Sequence, residues 1–136
     1  MKKLLGILVL GLLWCNVGIA ETKKQKIINK YKSSLPECAG GEADIMKDLS
    51  RWTQWDKCFG ILIMEIENEE QILHTEFKNG EMRGKGFVET SEGIMYGKIK
   101  NGNWVSPAYL IKHNGQIIKL KINKKGEVVG GKVLAD

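Results

Sequence analysis

Few side chains in this 136-residue chain could carry chemistry: Cys15, Cys38 and Cys58, the histidines His74 and His113, and the carboxylate run Glu65, Glu67, Glu69 and Glu70. Nucleophilic catalysis needs an activated serine or cysteine beside a positioned base. Metal binding needs ligands at short, regular spacing, yet no Cys-x-x-Cys pair is present and the two histidines stand far apart. Paired carboxylates serve glycoside hydrolysis when they face each other across a cleft. Here the four glutamates share one local strand and turn, which reads as a solvated charged hairpin. The expectation is a non-enzymatic chain with no cofactor and no metal site.

What the cysteines do depends on compartment. Lys2-Lys3 precedes an apolar run from Leu4 to Trp14, and Gly18-Ile19-Ala20 stands before Glu21. This order of charged, apolar and small residues is that of a secretory signal peptide cleaved after Ala20. An uncleaved amino-terminal anchor is the alternative, and a lipid-modified Cys15 is disfavoured by the bulky Trp14 before it. Cleavage places the mature protein in the periplasm or outside the cell and leaves two cysteines, Cys38 and Cys58. An even pair in an oxidising compartment is most simply a disulfide.

Without residues 1–20 the chain has 116 residues and a net charge of +3, enough for one small domain. The charge is unevenly placed: +4 over residues 21–33, −7 over 34–76 and +6 over 77–136. No aromatic-plus-basic recognition motif accompanies the lysines, so nucleic acid is not an expected partner.

The elements that must position these residues fall into two parts. Over residues 21–59 the expectation is a helical cap. Ile27, Ile28 and Tyr31 recur at helical spacing before the break at Ser33-Ser34-Leu35-Pro36, and Ile45, Leu49 and Trp52 form a second helical stripe over 42–52, beside Met46. Trp52 and Trp55 are expected to pack around the disulfide. Over residues 60–136 the period changes to two. Leu62, Met64 and Ile66 alternate on one face, as do Leu73, Thr75 and Phe77, then Met95, Gly97 and Ile99, and finally Ile118, Leu120 and Ile122. Asn79-Gly80, Glu92-Gly93, Asn101-Gly102, Asn114-Gly115 and Lys125-Gly126 separate the strands as hairpin turns. The fold class expected is mainly β, an elongated antiparallel hairpin meander behind a disulfide-stapled helical cap.

The meander also repeats. Phe77-Lys78-Asn79-Gly80 returns as Ile99-Lys100-Asn101-Gly102 and loosely as Ile122-Asn123-Lys124-Lys125-Gly126, at spacings of 22 and 23 residues. Together with Gly84-x-Gly86, these segments resemble the MORN (membrane occupation and recognition nexus) repeat over roughly residues 60–136. Leu73, Met95 and Ile118 replace the family's first tyrosine, Thr75 and Leu120 replace a glycine that Gly97 keeps, and Ser106 and Ala108 replace a Gly-x-Gly pair. The resemblance implies stacked hairpins with roles in protein assembly or at membrane lipids.

Aligning the turns stacks Glu76, Lys98 and Lys121 in one outward row and His74, Tyr96 and Lys119 in another. Tyr96, Lys98, Lys119 and Lys121 are therefore the candidate binding face, unless the lysines merely keep the sheet soluble. Two functions are expected from it: protein–protein interaction or scaffolding at the cell envelope, or peripheral binding of anionic envelope lipid.

Overall fold

The computed structural model describes residues 22–134, and the leader read from residues 1–20 lies outside the described residues. The elements in chain order are α1 (Lys23–Lys30), β1 (Glu37–Asp44), α2 (Leu49–Trp52), β2 (Cys58–Ile66), β3 (Glu69–Lys78), β4 (Glu81–Glu89), β5 (Gly93–Lys100), β6 (Asn103–Lys112), β7 (Ile117–Ile122) and β8 (Val128–Leu134). All eight strands form one sheet in chain order. From β2 to β8 each pairs antiparallel with the next. Among the described residues no helix is long and apolar enough to cross a membrane.

The first part of the chain corrects the expected helical cap. Residues 42–44 end a strand, and only Leu49–Trp52 is helical within the predicted second helix. β1 pairs parallel with β2, Glu42 opposite Ile61 and Asp44 opposite Ile63. A tight turn cannot join parallel neighbours. Residues 45–57 therefore make the crossover, and its Ile45, Trp52 and Trp55 pack onto the sheet. Cys38 and Cys58 form the expected disulfide, but it joins two strands of the sheet, with Cα atoms 4.9 Å apart.

The crossover covers the core face, where Leu62, Leu73, Phe77, Val88 and Ile99 are buried. Trp55 meets Phe77 edge-on at 4.9 Å between ring centres, and its Nε1 donates to the Ala39 carbonyl at 3.0 Å. The indole lies so close to Gly60 that any side chain there would collide with it. Met64 on β2 and Val128 on β8 line the same apolar hollow of about 420 Å³, so the sheet curls around this face.

The hairpin turns follow the sequence. Asn79 and Gly80 have φ of 53° and 77°, and Asn101 and Gly102 have 55° and 80°, the left-handed pair that suits a two-residue hairpin. The first turn is also a docking point. Asn79 N–H donates to Asp56 Oδ1 at 2.9 Å and Gly80 N–H donates to the Trp55 carbonyl at 2.8 Å. A Cβ on Gly80 would run into the Thr53 carbonyl. Gly80→Ala is expected to cost about 2 kcal/mol or more, from left-handed strain plus displacement of the crossover. Gly102→Ala, with open space around its turn, should cost only the strain. Chemical denaturation of the two variants gives the comparison, and equal losses would mean that the crossover does not rest on the first turn.

Candidate binding surface

The opposite face is built around a row of side chains that crosses seven strands. Register places Ile61, His74, Phe87, Tyr96, Tyr109, Lys119 and Lys132 side by side from β2 to β8. In its middle the rings stack: His74 lies 4.3 Å from Phe87, and Phe87 lies 5.5 Å from Tyr96. His74 Nε2 also contacts Glu89 Oε2 at 2.7 Å, a charged pair when the imidazole is protonated.

α1 lies over this row. Thr22 caps it, its hydroxyl oxygen accepting from Gln25 N–H at 3.1 Å, and the helical spacing turns Ile27 and Tyr31 toward Tyr96, Ile111 and Ile117. This corrects one candidate. Tyr96, expected on the outer face, is only 8% exposed. Burial pushes its phenol above the ordinary value, and Glu89 adds to the shift, so the hydroxyl keeps its proton at neutral pH.

The lysine candidates separate. Lys98 is exposed on β5, opposite Lys85 on one side and Val105 on the other. Glu76 does not stack with it as a charge partner; its carboxylate accepts from the Ser33 hydroxyl at 2.7 Å and from Lys85 N–H at 2.9 Å. Lys119 and Lys121 do come together, on β7, where they line a groove of about 520 Å³ with Ser106, Pro107 and Lys132. Lys119 faces Lys132 directly across the β7–β8 ladder. Like charges in that relation repel, and no carboxylate lines the groove. The sequence reading leaves Lys132 out of the candidate face, taking it only as weak protection of the edge; the β7–β8 register places it beside Lys119.

β8 forms one edge of the sheet. Its Val128, Val129 and Val133 are each more than half exposed. An open edge strand presents unpaired backbone groups to another chain. The groove and the edge are thus contiguous: Lys132 belongs to both. Comparison with protein-family models, with curated proteins and with solved structures gives no match.

Proposed function

We propose that this chain is an exported, non-enzymatic module of MORN-like β-hairpins that binds a protein at the cell envelope, receiving an acidic extended segment along β8. β1, joined to β2 by the Cys38–Cys58 bond, forms the other edge of the sheet. The observation that carries this reading is Lys119 facing Lys132 on the last two strands, beside an open edge with exposed valines. An added strand would satisfy the edge by main-chain hydrogen bonds, and its carboxylates would relieve the lysine repulsion.

The same uncompensated lysines support a second reading, in which an anionic lipid surface supplies the negative charge at about 1 kcal/mol per lysine. Lys98 lies on the same face. The Lys119→Glu/Lys132→Glu double variant is expected to weaken partner capture from an envelope extract by at least roughly tenfold, through loss of steering and complementarity. Val133→Glu should weaken a strand-pairing partner, whereas a lipid surface should respond chiefly to the lysine changes. Capture unchanged in both variants would remove β8 as the binding element. Retention on phosphatidylglycerol vesicles, with no protein recovered, would select the lipid reading.

A further inference from the structure

Where α1 crosses the sheet, a small cavity of about 180 Å³ lies between the helix and strands β5 and β6, lined by Lys24, Ile94, Tyr96, Ile111, Lys112 and His113. Two lysines, a histidine and a tyrosine thus line one space together with two isoleucines. No carboxylate lines it. The nearby Glu89 is engaged with His74 Nε2 at 2.7 Å.

Tyr96 makes the cavity more than a meeting of surface lysines. The residue is more than nine-tenths buried, and its hydroxyl has no hydrogen-bond partner among the described residues. A buried tyrosine ordinarily finds a partner for its O–H, because leaving the donor unsatisfied costs the water it gave up. The phenol is protonated at neutral pH and so offers a donor. His113 is oriented as well: its Nε2 lies 3.1 Å from the Ser91 carbonyl, which can only accept, so Nε2 carries a proton. Lys24 stands in the first turn of α1, where the positive end of the helix dipole adds to its charge.

The Lys24 and Lys112 side chains and the Tyr96 hydroxyl are donors with no hydrogen-bond acceptor among the described residues. The volume is below the range of about 300–1,000 Å³ that holds drug-sized ligands, which excludes a whole nucleotide and suits a single oxyanion with its waters. We propose that this cavity binds a small tetrahedral oxyanion, a phosphate or sulfate group, through Lys24, Lys112 and the Tyr96 hydroxyl. The site is separate from the β8 groove and does not depend on the role proposed for it. Because Lys24 belongs to the helix and the other donors to the sheet, an occupied site ties α1 to its place.

Thermal unfolding and isothermal titration of the purified protein with sodium phosphate and sodium sulfate, against sodium chloride at matched ionic strength, test this. The expected result is saturable binding and a rise in Tm beyond that in chloride. Lys24→Gln and Lys112→Gln should each weaken binding roughly tenfold, as loss of a charge-assisted hydrogen bond does. Both are surface changes that leave the core intact. Tyr96→Phe should weaken it less, and Lys78→Gln, at an exposed lysine on β3, should leave it unchanged. Vesicles containing phosphatidic acid form a second arm: Lys24-dependent recruitment without a response to free phosphate would assign the oxyanion to a lipid headgroup. Absence of saturable binding in every arm would overturn the proposal, as would binding that survives Lys24→Gln/Lys112→Gln.

Discussion

Phe77→Ala is expected to lower the free energy of unfolding by about 3–5 kcal/mol, a large share of the ~5–15 kcal/mol typical of a small domain. Phe77 is 1% exposed and sits opposite Cys58 on β2 and Met82 on β4. Its ring meets two indoles, Trp55 at 4.9 Å and Trp52 at 6.2 Å between centres. Both indoles are tied to backbone, Trp55 Nε1 to the Ala39 carbonyl and Trp52 Nε1 to the Ile45 carbonyl, each at 3.0 Å. They cannot easily move into the space left by the ring, so the cavity persists and the cost lies high in the range. Urea denaturation followed by tryptophan fluorescence measures it, because Trp52 and Trp55 report on the same place. A loss below about 1 kcal/mol would show that the crossover does not pack on Phe77 in solution.

Removing the disulfide by Cys38→Ser/Cys58→Ser is the second large effect, about 3 kcal/mol for the 20-residue separation of the two cysteines. A fall in Tm of roughly 10–15 °C should accompany it. The bond matters because of what it joins. β1 is an edge strand, its register with β2 shifts between Glu37 and Glu42, and its sequence Glu-Cys-Ala-Gly-Gly-Glu-Ala-Asp has little intrinsic strand preference. Without the bond, β1 and the crossover lose their tether together, and Trp55 should become solvent-exposed before the rest of the sheet unfolds. Intact mass before and after reduction with alkylation establishes the bond in the purified protein; two free thiols would remove the premise. Phe77 and both cysteines belong to one buried cluster. Combining the changes should therefore cost less than the sum of the separate losses.

The hairpins were legible in the sequence because their causes are local. Asn79-Gly80 and Asn101-Gly102 supply the left-handed conformations that a two-residue hairpin needs, and the structure has them at both places. The alternation of Leu73, Thr75 and Phe77 marks a strand face whatever lies against it, and all three residues are buried. α1 was legible for the same reason, its spacing of Ile27, Ile28 and Tyr31 being a property of a single helix. β1 was not. Its glycines, Gly40 and Gly41 with φ of 82° and 72°, read as a flexible link, and the disulfide and the pairing of Glu37 and Glu42–Asp44 with β2 make the segment a strand.

The candidate surface divides along the same line. Alternation correctly set Tyr96 and Lys119 on one face and in one row, because register between neighbouring strands follows from the turns that join them. It could not reveal that α1 covers the Tyr96 end of the row and leaves the Lys119 end open. That depends on Ile27 and Tyr31 meeting strands many residues away, a contact with no local signature. For the same reason Lys132 joined the groove, and Lys24 met Lys112, His113 and Tyr96, only when the chain was folded. The sequence by itself determined the turns, the strand faces and the cysteine pair, each a matter of one to a few adjacent residues. Tertiary structure alone decided which of the sheet's two faces stays open at each end, since burial depends on packing between distant segments.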